Sequence, residues 1–324
     1  ERFPGARVAW VISEPLSELV AGHPVLDEWI IYRRRGGWRQ WRQLLATLRS
    51  RRFDLVFDLQ GLLRTAVMTR ATAAPLRIGL ETAREGSGLA CHGLLEDTGR
   101  QVPAHRRYWR VAEFLGMGDL TPRAGLEISR SEHAWADVMT RQLGERVVAI
   151  HPGARWETKR WPIEHFAAVG VHAIREHGAS LLLVGSPDER VAAARLKELI
   201  LRQATDGRVE NLAGQTGLKK LAAVLSAVDV VVTNDSGPMH LAAAVETPVV
   251  GVFTCTTARR SGPPGDRHVL IETSVTCGGS YHKRCPHRGD RHLACLQDVS
   301  AAEACEGLDR LLGGVPAIVR PKVA

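Results

Sequence analysis

Three stretches in the second half of the chain combine small residues, cations and acids in patterns suited to a phosphorylated sugar. The most specific is Val232-Thr233-Asn234-Asp235-Ser236-Gly237-Pro238-Met239-His240-Leu241-Ala242-Ala243-Ala244. An apolar run delivers Asp235 into a glycine turn, and Pro238 then opens a helix that carries His240. Asp235 can accept hydrogen bonds from sugar hydroxyls, while the N–H groups at Ser236, Gly237 and Met239 face a phosphate at the helix start. The residue types also admit a Ser/His/Asp hydrolase, but Ser236 lacks the G-x-S-x-G elbow that such a nucleophile needs.

The second stretch runs from His151-Pro152-Gly153 through Ala154, Arg155, Lys159 and Arg160 to Trp161-Pro162. It leads from an apolar run into a helix with Pro162 at its first position. Backbone N–H groups, a helix dipole and three cations (Arg155, Lys159, Arg160) together fit a pyrophosphate. The third stretch is Val184-Gly185-Ser186-Pro187-Asp188-Glu189. An acid at such a turn can hold ribose hydroxyls. Asp and Glu in a first helical turn are equally good helix chemistry.

The cysteines raise a separate question. Cys277, Cys285, Cys295 and Cys305 follow one another at intervals of 8, 10 and 10, with His282, His287 and His292 among them. Thiols and imidazoles can hold zinc, but no closely spaced Cys pair occurs and Cys305 falls in a helical pattern. Packed thiols in a solvated loop are the favoured reading, and no metal is assigned. Six cysteines in 324 residues also rule out a disulfide scaffold and suit a reducing, cytoplasmic setting. No G-x-G-x-x-G follows any predicted strand, which removes a nicotinamide dehydrogenase.

These sites need elements to position them. Short apolar runs at 7–12, 53–59, 76–80, 146–150, 180–184, 209–212, 228–233 and 248–253 read as strands. Helical patterns cover 64–73, 105–115, 131–143 (with Ser131 as N-cap), 162–176, 187–203, 218–227 and 238–244. Strand-helix alternation with continuously apolar strands predicts parallel sheets covered on both faces. A break near residue 145 divides the chain into two doubly wound α/β domains, 1–145 and 146–324, facing a cleft. All three stretches then lie at the carboxyl ends of strands, where open parallel sheets bind ligands.

The net charge is +8, with 37 arginines against 6 lysines. Residues 31–53 carry eight arginines and no acid, while Trp38, Trp41, Leu44, Leu45 and Leu48 recur at helical spacing. This basic amphipathic helix over 38–52 suits an anionic membrane surface, and equally an ordinary helix whose stripe packs on its own domain. No second basic, aromatic-interleaved segment supports nucleic acid binding. No stretch approaches the ~18 apolar residues of a spanning helix.

The D-S-G-P-M-H-L-A-A-A stretch with H-P-G-A-R-W-E-T-K-R-W-P upstream resembles glycosyltransferase family 9, the lipopolysaccharide heptosyltransferases, and most of all its heptosyltransferase I group. Asp58-Leu59-Gln60-Gly61-Leu62-Leu63-Arg64-Thr65-Ala66 is similar to the family's acceptor-domain D-x-Q-G-L-x-K-S-A pattern. Arg77-Ile78-Gly79-Leu80 with Ala83-Arg84-Glu85, and Cys285-Pro286 with Cys295-Leu296, match further family segments over essentially the whole chain. The resemblance implies a GT-B fold, with the donor on the C-terminal domain. It implies inverting transfer of heptose from ADP-heptose to the Kdo-containing inner core of lipid A, at the cytoplasmic face of the inner membrane, without a metal or other cofactor. By position, Lys159 would neutralise the donor phosphates, with Ala154 and Arg155 standing where relatives often carry threonines. Glu189 falls at the ribose acid, Thr216 near the adenine and Asp235 at the heptose hydroxyls. Ser236, Gly237 and His240 would line the pyrophosphate, and Arg64 and Arg84 would meet acceptor phosphates or carboxylates. The family's first strand and its aspartate-bearing loop have no counterpart here, so the general base is expected ahead of Glu1. A nucleotide-sugar-binding relative without turnover, or a family member with another donor sugar, are the alternatives.

Overall fold

A computed structural model describes residues 3–118 and 125–313. The chain divides into two compact units, Glu1–Glu127 and Ile128–Ala324.

The first unit holds two parallel sheets. Strands β1 (Ala9–Ser13) and β2 (Glu28–Tyr32) pair with Ala9 opposite Glu28. Strands β3 (Leu55–Asp58), β4 (Leu76–Leu80) and β5 (Gly93–Leu95) form the other sheet. The helix Gly37–Ser50 buries Leu44 and Leu48 against Ile30 of β2 and Met68 of the helix Leu63–Thr72. Trp41, Leu45 and Tyr32 complete that cluster. Strand β2 is absent from the strands expected from the sequence; its Glu28-Trp29-Ile30-Ile31-Tyr32 run begins on an acid and lies between Asp27 and Arg33.

The second unit is a six-stranded parallel sheet. Its strands are β6 (Val147–His151), β7 (Ser180–Leu183), β8 (Val209–Asn211), β9 (Val230–Asn234), β10 (Val249–Phe253) and β11 (Val269–Glu272). Their order is β11-β10-β9-β6-β7-β8. Every residue of β6, β9 and β10 is buried, as expected for strands covered on both sides. Period-2 alternation sorts them. Val148, Ile150, Val230, Val232, Val250 and Val252 face the helices Ile163–His177, Arg190–Leu201 and Ala301–Leu312. Val147, Ala149, Val231, Val249 and Phe253 face Arg130–Leu143, Leu218–Ser226 and Gly237–Ala244. Among the described residues, no helix is long and apolar enough to cross a membrane.

The boundary therefore lies at 127/128 rather than near 145. The helix Arg130–Leu143 buries Ala136 and Leu143 in the core of the second unit, so it belongs there despite preceding that unit's first strand. Its N-cap is Ser129, not Ser131. The Ser129 hydroxyl accepts from the Glu132 N–H at 3.2 Å while the Glu132 carboxylate accepts from the Ser129 N–H at 2.7 Å. This reciprocal box outranks an isolated serine two residues later. Pro162 similarly caps the next helix instead of opening it, with an extended ψ of 138°.

Candidate functional site

In the second unit the chain runs outward from β6 through β7 to β8, then returns to place β9 on the other side of β6. The carboxyl ends of β6 and β9 thus flank the point where the strand order reverses, which is where open α/β sheets bind ligands. His151 ends β6 and lies opposite Thr233 of β9. The loops that leave these two strands carry the two most specific sequence stretches.

Asn234 holds these loops together. Its buried side-chain amide donates to Pro152 O at 2.8 Å and Gly153 O at 3.2 Å, while its Oδ1 accepts from the Trp161 N–H at 3.2 Å. Thr254, just beyond β10, adds a bond of 2.7 Å to Thr158 O. With its backbone held this way, the loop sets Lys159 Nζ 3.4 Å from Asp235 Oδ2, with both side chains largely buried. The same Nζ lies 5.0 Å from the centre of the Trp156 ring. Of the three expected phosphate cations, Lys159 is the one directed at the strand ends. Arg160 instead donates to Ala154 O at 2.8 Å and braces the loop, and Arg155 is exposed. Ala154 is buried, so its contribution is backbone.

Beyond Asp235, Ser236 caps the helix Gly237–Ala244. A Cβ at Gly237 would meet nothing within 4 Å, so the first residue of this helix borders open space. His240 lies one turn on. It keeps access to solvent, yet the protein around its ring disfavours the charged form and lowers its pKa; Asp235 opposes this and Lys159 adds to it.

A second polar chain crosses the switch point. His151 Nε2 lies 3.3 Å from Glu189 Oε2, and Nδ1 lies 3.1 Å from Ser236 Oγ and 3.3 Å from Thr233 Oγ1. A neutral imidazole satisfies all of these when Nε2–H donates to the carboxylate and Nδ1 accepts from a hydroxyl. Glu189 also accepts from the Ser186 N–H at 2.7 Å. The His151 hydrogen bond, ahead of the Ser186 bonds, holds the Glu189 carboxyl down to about 2 against the opposing effect of burial. Gly153 lies beneath it, and any larger residue there would displace the carboxylate from this arrangement. A Cβ there would fall 1.7 Å from Glu189 Oε1.

The structure brings together Lys159, Glu189, Asp235, Ser236, Gly237 and the backbone of Ala154, with His240 alongside. Thr216 is half-buried in the loop between β8 and the helix Leu218–Ser226. The sequence motifs contain His151 and Asn234, and only the fold gives these two residues a role. Their signal was position, a polar residue ending an otherwise apolar strand.

The first unit gathers a different set. Asp58 ends β3 and is buried. Its Oδ1 accepts from the N–H groups of Gln60 and Gly61, and its Oδ2 from the Thr65 hydroxyl at 2.9 Å. Gly61 has φ +61°, and a Cβ there would lie 2.8 Å from Ala83 Cα. Glycine thus allows the 58–65 loop to meet the 83–85 turn. There the Arg84 N–H donates to Gly61 O at 2.8 Å and Glu85 accepts from the Leu63 N–H. Arg64 is steadied by Gln60, with contacts of 2.9 and 3.1 Å to Oε1, and Arg84 is exposed beside it on the neighbouring turn. Arg64 and Arg84 are therefore brought to one loop cluster.

Among the described residues, no cysteine belongs to a group of three metal-ligating atoms lying within 4.8 Å of one another. All six are free, and burial, with the neighbouring Cys277, Cys255 and Cys285, pushes the Cys295 thiol up to about 11. Cys305 lies in the helix Ala301–Leu312 with a thiol likewise raised to about 11 by burial.

Known proteins match this architecture. Residues 41–289 match the family model for glycosyltransferase family 9 (heptosyltransferase). Lipopolysaccharide core heptosyltransferase OpsX of Haemophilus influenzae is 27% identical over 267 residues, covering 81% of this chain and 74% of the relative. Lipopolysaccharide heptosyltransferase 1 of Pseudomonas aeruginosa is 27% identical over 327 residues, covering 91% and 84%. A family 9 glycosyl transferase from Veillonella parvula superposes with a TM-score of 0.78 at 22% identity, over 96% of this chain and 90% of that one. The ADP-heptose heptosyltransferase II of E. coli superposes with a TM-score of 0.73 at 23% identity, over 97% and 91%. The structural likenesses establish the GT-B fold expected from the sequence. The family match, over most of the length and through the loops just described, shows that this chain is a glycosyltransferase belonging to family 9, the heptosyltransferases.

Proposed function

We propose that the chain transfers heptose from ADP-heptose to the Kdo-containing inner core of lipid A, with inversion at the anomeric carbon. The observation that carries this reading is the Lys159–Asp235 pair beside the open N-terminus of the helix Gly237–Ala244, at the reversal point of the sheet. A nucleotide diphosphate-sugar needs both halves of that arrangement. Its pyrophosphate takes the cation and the helix N–H groups, and its sugar hydroxyls take the carboxylate. Glu189 lies at the adjacent strand end with its carboxylate ionised, an acceptor for ribose hydroxyls. E. coli heptosyltransferase WaaC has been solved with ADP and with ADP-2-deoxy-2-fluoro heptose, which supports the choice of nucleotide and sugar.

In this reading the acceptor hydroxyl attacks the anomeric carbon as the bond to the pyrophosphate oxygen breaks. Lys159 and the helix N-terminus stabilise the negative charge that grows on the departing ADP. Arg64 and Arg84 orient anionic groups of the acceptor. Isothermal calorimetry with ADP-heptose tests the donor half. Lys159→Ala should weaken binding by about 1.5–3 kcal/mol, the range of a charge-assisted contact. Unchanged affinity would remove Lys159 from the site.

A second reading, donor binding without turnover, draws on the engaged acids of the first unit. Asp58 spends both carboxylate oxygens on its own loop, and Glu14 is paired with Arg33 at 2.6 Å. Heptose transfer to a Kdo-containing lipid A acceptor separates the two. Saturable ADP-heptose binding with no product would favour the second. The reading also places the chain on the cytoplasmic face of the inner membrane, with the Gly37–Ser50 helix against anionic lipid.

A further inference from the structure

At the other edge of the second unit, away from the donor site, three metal-ligating side chains converge. His172 and His177 lie on the helix Ile163–His177, the latter as its last residue, and Asp309 lies on the helix Ala301–Leu312. The first helix starts beyond the carboxyl end of β6 and runs back to the start of β7 at Ser180. Its final turn therefore sits at the amino ends of the strands, opposite the nucleotide-sugar loops. Asp309 Oδ1 is 2.6 Å from His172 Nε2 and 2.6 Å from His177 Nε2. The three ligand atoms all lie within 4.8 Å of one another, and this is the one such group of three among the described residues.

We propose that His172, His177 and Asp309 form a binding site for a divalent transition-metal ion of the zinc class, which clamps the two helices together. Two imidazoles direct the same ring nitrogen at one carboxylate oxygen. That supplies two nitrogen donors and an anionic oxygen donor around a common point. Such a set suits Zn²⁺, Co²⁺, Ni²⁺ or Cu²⁺ rather than Ca²⁺ or Mg²⁺, which take oxygen ligands. Metal–ligand bonds of ~2.0–2.1 Å place tetrahedral ligand atoms about 3.3 Å apart. To admit the ion the carboxylate needs to withdraw by less than about 1 Å from each imidazole, and the two Nε2 atoms, at most 4.8 Å apart, need to settle to that same spacing. Asp309 is 46% exposed and free to do so, while His172 and His177, at 26% and 16%, are held more firmly, their ring centres 5.7 Å apart. The exposed side of Asp309 leaves room for water as a further ligand. The ion would take the place of the two imidazole protons that now point at the carboxylate. Both helices cover the same face of the sheet, so the clamp would stabilise that layer by binding only the folded state.

The test uses the full chain without any affinity tag, stripped with chelator and then titrated with zinc chloride by calorimetry. Thermal unfolding is recorded with and without the metal. One equivalent of zinc per chain and a higher Tm are expected. His172→Gln and His177→Gln each keep an N–H donor for Asp309 but lose the imidazole ligand, so folding should persist. Each should lower zinc affinity at least about tenfold and remove the gain in Tm. Cobalt bound to the wild-type chain should give weak visible bands without thiolate charge-transfer absorption, which distinguishes this site from the cysteines. No stoichiometric zinc binding, affinity unchanged in either variant, or a thiolate signature would each defeat the proposal.

Discussion

Asp235 and Lys159 hold each other, so a donor must divide the pair between sugar and phosphate. Removing Asp235 therefore has two opposite effects. It deletes an acceptor for sugar hydroxyls and releases Lys159 for phosphate. Asp235→Ala should leave ADP affinity equal or higher while lowering the preference for ADP-heptose over ADP by roughly tenfold, the worth of one charged hydrogen bond. Calorimetry with both ligands decides the matter, and equal losses would mean that Asp235 shapes the loop instead. Glu189 gives a pH prediction. Its carboxyl is held at about 2 against an ordinary value of 4.5. A depressed pKa means that the folded state favours the ionised form. The stabilisation is complete above about pH 4.5 and fades as pH falls toward 2. By linkage it is worth about 1–3 kcal/mol, allowing for partial exposure of the carboxylate. The Tm difference between wild type and Glu189→Gln should be largest near neutrality and should shrink on acidification. A difference constant down to pH ~3 would contradict the hydrogen bonds of His151 and Ser186 as what holds that carboxyl ionised.

At the scale of single elements, the helix Gly37–Ser50 resolves its own ambiguity in part. Leu44 and Leu48 are buried and Trp41 and Leu45 pack beside them, so the apolar stripe is spent on the first unit's core. Trp38 is 70% exposed, and Arg39, Arg42 and Arg49 are also on the surface. Membrane contact, if made, is electrostatic with one ring at headgroup depth and no insertion of the stripe. At ~1 kcal/mol per arginine near an anionic surface, Arg39→Glu with Arg42→Glu should lower partitioning onto phosphatidylglycerol vesicles by at least about tenfold. Raising the salt should weaken the wild type in the same direction. Co-sedimentation provides the measurement, and equal pelleting with neutral vesicles would dismiss the surface role.

For the whole molecule, the division at 127/128 makes a sharp claim about where the donor-binding unit starts. A fragment beginning at residue 128 keeps the helix Arg130–Leu143, whose Ala136 and Leu143 fill one face of the core. A fragment beginning at residue 146 strips that face bare along Leu221, Val224 and Leu225. The longer fragment should unfold cooperatively and bind ADP-heptose. The shorter should aggregate or melt at least ~10 °C lower, since losing even one buried leucine contact costs ~2–5 kcal/mol. Equal melting of the two would return the boundary to residue 145.

Much of the second unit was legible in the sequence because the information is local. Continuous Val/Ile/Leu runs state that β6, β9 and β10 are buried on both faces. Glycine and proline after β6, β7 and β9 state that these strands stop and a helix begins, which places Lys159, Glu189 and Asp235 at strand ends. What the sequence could not state is which strand ends meet. His151 and Thr233 lie opposite one another only because β9 crosses back to pair with β6, a choice made by sheet order and helix packing across a sequence separation of 82. The Lys159–Asp235 pair, the His151–Glu189 hydrogen bond and the Asn234 staple all follow from that crossing. The His172, His177 and Asp309 cluster is non-local in the same sense, since its residues share no motif and are joined by two helices packing on one sheet face. Short strands such as β2 and the reassignment of the Arg130–Leu143 helix were hidden for a related reason. Their apolar residues fit several partners, and only the tertiary packing decides which core they complete.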